Sequence, residues 1–81
     1  MLKLWYVGDY MEESEIKLII RDISASMEKK GYSSVTQVVG YLISNDIGYI
    51  PDFDDNRNKM AMMDRMVILE SMMSEYLKWD V

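Results

Sequence analysis

Apolar residues recur at helical spacing through most of the chain. Ile16, Ile19, Ile20, Ile23 and Met27 follow one another at i, i+3, i+4, i+7 and i+11, which predicts an amphipathic helix. Asp9 with Glu12 three positions later resembles a capping box at its start. The opposite face carries Glu12, Glu13, Lys17, Arg21 and Asp22, with Glu13 and Lys17 in the favourable i, i+4 order. Lys29 and Lys30 complement the negative end of the helix dipole, and Gly31 supplies a left-handed stop.

Ser34 and Gln37 have the spacing of a second capping box, and Val35, Val38, Val39 and Leu42 continue as the stripe of a short, largely buried helix ending near Ser44 and Asn45. Gly40 within it costs about 1 kcal/mol in intrinsic propensity relative to Ala, so a second helix is expected to cross closely there. Asp46 to Asp55 reads as a loop with four Asp and no base, in which Pro51 forces Ile50 toward extended geometry and Asp54 or Asp55 can cap the next helix. Asn56 to Lys78 reads as helix. Unbroken, it would span about 35 Å, so either a break near Met63 and Asp64 or extension onto a partner chain is expected. Its apolar positions exceed one narrow stripe, and Asp64, Ser71, Glu75 and Lys78 form the expected solvent strip. At the other end, Leu2 to Val7 is rich in β-formers and alternates like a short strand or extended arm.

The expected architecture is mainly α: one domain over residues 1–81, a small bundle of three to four helices with a short N-terminal extended segment, paired as an intertwined homodimer. Pairing follows from size, because a chain of 81 residues buries only about 60% of its unfolded surface and has no Cys for disulfides. A helix apolar on more than one side points the same way, with Met62, Met66, Leu69, Met73 and Tyr76 as the expected dimer or partner interface.

Composition narrows the chemistry. With neither Cys nor His, the chain lacks thiol nucleophiles, imidazole bases and nearly every zinc, haem or iron–sulfur ligand, and no cofactor is expected. A net charge of −5 argues against nucleic acid, whose binding rests on Lys and Arg. No run approaches the length of a membrane span, and the Leu4 to Val7 patch stops too soon for a signal peptide, so a cytoplasmic chain without membrane insertion is expected.

Three patterns invite functional readings. Asp52, Asp54 and Asn56 match the first ligands of a calcium loop, but Arg57 stands where that loop needs Gly and Met63 where it needs Glu, which favours an acidic capping loop. Six of the nine Met lie between Met60 and Met73. Core filling plus a dimer interface accounts for them better than a calmodulin-like peptide groove. The carboxylate pairs Glu12–Glu13 and Asp54–Asp55 stand at helix starts, where the dipole alone favours them, and no nucleophile–base pair or glycine-rich phosphate cradle accompanies them. Trp5 and Trp79 read as packing residues near the two ends.

One longer pattern is more specific. Glu28-Lys-Lys-Gly31-Tyr32, Gln37-Val-Val-Gly40-Tyr41, Ser44-Asn-Asp46-Ile-Gly-Tyr49-Ile50-Pro51 and Asp55-Asn-Arg57-Asn58, continuing through Arg65, Ile68 and Glu70 to Tyr76-Leu77-Lys78, closely resembles the IreB family of small regulatory phosphoproteins of Gram-positive bacteria. Gly31, Tyr32, Gln37, Gly40, Tyr41, Tyr49, Ile50, Pro51 and Arg57 are the signature positions. The resemblance implies a mainly helical homodimer, acted on by a transmembrane Ser/Thr kinase with extracellular wall-sensing repeats and by the opposing phosphatase. It further implies a role in cell-envelope stress signalling, as a negative regulator of cephalosporin resistance. The chain departs from the pattern where that role is controlled: the family's phosphoacceptor threonines lie in the N-terminal segment, whereas residues 1–13 hold no Ser or Thr and Thr36 is the only threonine. Ser33 or Ser34 replaces a proline after Gly-Tyr, Ile47 replaces another, and Met66 and Val67 replace acidic residues. This marks a divergent member, with Ser33, Ser34 and Thr36 as the remaining phosphorylation candidates. The expected function is non-enzymatic regulation by protein binding; the alternative is a structural or assembly subunit that pairs with a non-identical protein.

Overall fold

The computed structural model describes residues 12–78. Leu2 to Val7, Asp9, Trp5 and Trp79 lie outside the described residues. Four α-helices are present among those described: α1 (Glu13–Lys29), α2 (Ser34–Ser44), α3 (Asn56–Ala61) and α4 (Arg65–Tyr76), with a 3-10 turn (Ile47–Tyr49) between α2 and α3. The all-helical expectation holds, and no strand occurs among the described residues.

Helix α1 is central and packs against the other three helices. Its N-cap is Glu12, whose side chain accepts from the Glu15 amide while the Glu15 carboxylate accepts from the Glu12 amide, a reciprocal pair that satisfies two otherwise orphaned donors. Ile16, Ile23 and Met27 are buried, and Ile19 and Ile20 pack against them. The helix ends in a Schellman motif: Tyr32 N donates to Met27 O, Gly31 N donates to Glu28 O, and Gly31 takes φ +89°.

Helix α2 starts one residue earlier than the Ser34–Gln37 spacing suggests. Ser33 is the N-cap and accepts from Thr36 N. Its buried face is Ser34, Val38, Tyr41 and Leu42 rather than the expected Val35–Val38–Val39–Leu42 stripe; Val35, Val39 and Ile43 are exposed. The expectation of a largely buried helix is therefore corrected: α2 contacts α1 on one side and the 3-10 turn on another, and its outer face stays open among the described residues. It stops at Asn45, in the left-handed region at φ 62°.

The expected break in the last helical stretch falls at Met62 to Asp64. Asp64 caps α4 by accepting from Met66 N at 2.9 Å, and Met63 turns into the core. One polar residue is displaced from its expected place: Ser71 is buried, because α4 meets α1 through Ile68 and Ser71, leaving Asp64, Glu75 and Lys78 exposed. Asp55 occupies the N-cap position of α3 without a side-chain cap bond. The core comprises Ile16, Ile23, Met27, Val38, Tyr41, Leu42, Ile50, Met60, Met63 and Ile68.

Candidate protein-docking face and the signature cluster

The signature residues converge on the connection between α2 and α3. Ile50 is fully buried in a segment that sequence pattern alone assigns to a loop, and Pro51 keeps it extended at φ −98°, ψ 116°. Its carbonyl accepts from Arg57 Nε at 2.7 Å, and the Tyr49 carbonyl accepts from Gln37 Nε2 at 2.8 Å. Both carbonyls lie outside the α-helices and would otherwise lack partners, so these side chains fix the segment that carries Ile50 into the core.

Gly40 faces the same segment. A Cβ built there would stand 2.5 Å from Tyr49 Cδ1 and Cε1 and 3.0 Å from Cγ. The close approach is made by the Tyr49 ring, not by the crossing helix that the Gly40 propensity argument anticipates. Tyr32 stacks at a tilt on Phe53, with centroids 5.9 Å apart, and Lys30 Nζ lies 4.9 Å from the Phe53 ring centre. The signature thus builds a scaffold around the 3-10 turn. Arg65 extends it by donating to Leu42 O at 2.7 Å, a bond that ties the start of α4 to the end of α2.

The three hydroxyls considered for phosphorylation differ. Ser34 is buried, and both its amide and its hydroxyl donate to Glu28 Oε2, at 3.0 and 2.8 Å. The amide bond first, and the hydroxyl bond second, hold the Glu28 carboxyl below its ordinary value. Ser33 and Thr36 are exposed and joined by a hydrogen bond of 3.0 Å.

The acidic loop is tied to α1 and α3 by side-chain hydrogen bonds. Asp54 Oδ2 accepts from Ser26 Oγ at 2.7 Å, Ser26 Oγ accepts from Asn56 Nδ2 at 2.9 Å, and Asp55 Oδ1 accepts from Asn58 Nδ2 at 2.7 Å. Asn56, the third residue of the calcium-like pattern, is fully buried. Nearby, Lys59 donates to Asp22 at 2.6 Å, and that bond raises the lysine above its ordinary value. The links from Ser26 and Asp22 join positions 28 to 37 residues apart and leave no trace in local periodicity.

A run of exposed apolar residues covers the outer face of α4 and its two flanks. Met62, Met66, Leu69, Met72, Met73, Tyr76 and Leu77 are all exposed. Tyr76 is the extreme at 85% exposure. Leu69, Met72, Met73 and Tyr76 line a shallow apolar depression together with Glu70, whose Oε1 is buried and has no hydrogen-bond partner among the described residues. A second groove of about 410 Å³ runs between α1 and α4, where Ile16 and Ile20 face Met72 and Tyr76. The Lys17–Glu75 ion pair at 3.1 Å borders this groove. The lysine's hydrogen bond and then its charge hold Glu75 below the usual carboxylate value. The five residues expected at an interface are thus all at the surface of the single chain.

A small all-helical protein with an exposed apolar helix face is the class these features define. The sequence model of the IreB regulatory phosphoprotein family matches residues 5–78, and the chain belongs to that family. No helix among the described residues is long and apolar enough to cross a membrane.

Proposed function

We propose that this regulatory protein works without catalysis, by protein–protein binding, and that the exposed face of α4 associates with a second copy of the chain to form a homodimer. The observation that supports this reading is the α4 face itself. The helix buries Ile68 and Ser71 and presents Met66, Leu69, Met72, Met73 and Tyr76 to water, with Met62 exposed in the turn before it and Leu77 exposed just after it. Isolated exposed apolar residues are ordinary, but a continuous run of them along one helix marks an interaction surface.

Control by a transmembrane Ser/Thr kinase and its phosphatase, in cell-envelope stress signalling and as a negative regulator of cephalosporin resistance, belongs to the same proposal and rests on family membership. In this chain Ser33 and Thr36 are the phosphoacceptors the surface favours. A phosphate on either would stand at the start of α2, where the dipole favours it, yet it would compete with the Glu28 carboxylate for the same helix end. The predicted result is a weakened α1–α2 junction.

Sedimentation across a micromolar range tests the assembly. The expected outcome is a monomer–dimer equilibrium that Leu69→Asp abolishes while helical circular dichroism is retained, since Leu69 is exposed in the single chain. A wild-type chain that is monomeric throughout removes this reading, and one that pairs only with a different protein supports the assembly-subunit alternative.

A further inference from the structure

We infer that Met62, Met66, Met72 and Met73 are sites of reversible oxidation, and that their conversion to sulfoxides switches off self-association of the α4 face. The second half rests on the self-association proposed above.

The chain has nine Met and no Cys, so thioethers are its only sulfur chemistry. The seven described Met fall into two groups. Met27, Met60 and Met63 belong to the core, whereas Met62, Met66, Met72 and Met73 are 62%, 61%, 43% and 56% exposed. Each of these four lies on α4 or at the turn leading into it. Leucine there would supply similar apolar surface and resist peroxide; methionine supplies that surface in a form a two-electron oxidant can change.

The chemistry is simple. A sulfur lone pair attacks one peroxide oxygen, the O–O bond breaks, the sulfur is oxidised by two electrons, and the other oxygen leaves as water after proton transfer. The product carries a polar S–O group where an apolar side chain stood. Met72 and Met73 share their depression with Leu69, Tyr76 and Glu70. Glu70 Oε1 is already a buried acceptor without a donor among the described residues. Adding sulfoxide oxygens to that surface multiplies acceptors where, of the lining residues, only Tyr76 offers a side-chain donor. Closing a second copy over it would then strand those acceptors away from water.

The test uses the full chain and hydrogen peroxide, with peptide mapping by mass spectrometry and sedimentation on the same samples. Met62, Met66, Met72 and Met73 should oxidise at least about tenfold faster than Met27, Met60 and Met63, because susceptibility follows exposure. Their oxidation should slow as protein concentration rises through the dimer dissociation constant, since pairing covers them. The oxidised chain should dimerise at least about tenfold more weakly and recover after treatment with methionine sulfoxide reductases of both stereospecificities and a dithiol, which gives up two electrons and two protons to become a disulfide while the sulfoxide oxygen leaves as water. A variant with all four changed to Leu should keep its dimer through the same treatment. A dimer whose dissociation constant does not move when the four are oxidised overturns the switch alone. Equal oxidation rates for both groups overturn the site assignment, and a chain that is monomeric before peroxide overturns the underlying reading and the switch with it.

Discussion

Replacing Gly40 with Ala sets two effects of opposite sign against each other at one position. In a helix interior Ala is favoured over Gly by about 1 kcal/mol, so an unobstructed site would gain that amount. Here the new methyl would lie 2.5 Å from two atoms of the Tyr49 ring and 3.0 Å from its Cγ. The Cγ contact lies at the root of the ring, so rotation about χ2 cannot relieve it. The backbone behind it is held by the Gln37 bond to Tyr49 O and by buried Ile50. Overpacking of this kind costs about 1–3 kcal/mol, so Gly40→Ala should be destabilising by up to about 2 kcal/mol net. In a Tyr49→Ala background the obstruction is gone, and the same substitution should stabilise by about 1 kcal/mol. Urea denaturation at one fixed protein concentration, with constant m-values, reads the four corners of this cycle. The predicted coupling is about 1–3 kcal/mol, or several degrees in Tm for a domain of this size. If Gly40→Ala stabilises equally with and without the Tyr49 ring, the packing explanation for this glycine is refuted.

Arg57→Met should cost about 1–3 kcal/mol by denaturation, because Ile50 O loses its partner in a segment leading into the core. Asn45→Gly should raise stability by about 0.5–1 kcal/mol, since Asn45 is held at φ 62° beyond the end of α2 and Gly takes that conformation without a Cβ penalty. Glu28→Gln should be less stable than wild type near neutrality, and the gap should close on acidification. A carboxyl held low in the folded state contributes above its unfolded value of 4.5 and loses that contribution as pH falls through the folded value, so paired melts between pH 7 and pH 2 give the check. After incubation with the cognate kinase, mass spectrometry should find phosphate on Ser33 or Thr36; stoichiometric modification of Ser14, beside Glu12, Glu13 and Glu15, would contradict that assignment.

What the sequence made legible was local. The α1 stripe, its glycine stop and the interruption around Met63 each come from periodicity, capping chemistry or simple length. What stayed hidden depends on contacts distant in sequence. Ile50 reads as loop because Pro51 and four Asp surround it, yet two side chains from α2 and α3 make it core. Ser71 reads as solvent-facing because it is polar, yet it is buried on the side of α4 that borders the groove with α1. Gly40 signalled close approach correctly but could not identify a tyrosine ring from the next turn as the approaching group. The α4 surface was legible for a different reason: eleven apolar side chains on one stretch exceed what one packed face can hold, so some had to remain outside.

That surplus connects stability to function. Ten buried apolar residues form the core, drawn mainly from α1, α2 and α3 with the connection between the last two, and α4 contributes only Ile68 to it. The remaining attachments of α4 include the Arg65 bond to Leu42 O, the Lys17–Glu75 pair on the surface, and the partly buried Val67. An exposed ion pair is typically worth less than about 1 kcal/mol, so the Arg65 bond and the burial of Ile68 and Ser71 hold the helix more firmly than the Lys17–Glu75 pair does. Association through the outer side of α4 would stabilise the same helix by mass action, coupling its folding to the concentration of a second copy. Anything that adds charge or polarity to that side then acts first on assembly, while changes at the Glu28–Ser34 junction act first on the fold. If the proposed assembly forms, the chain would thereby respond at two places through two different equilibria.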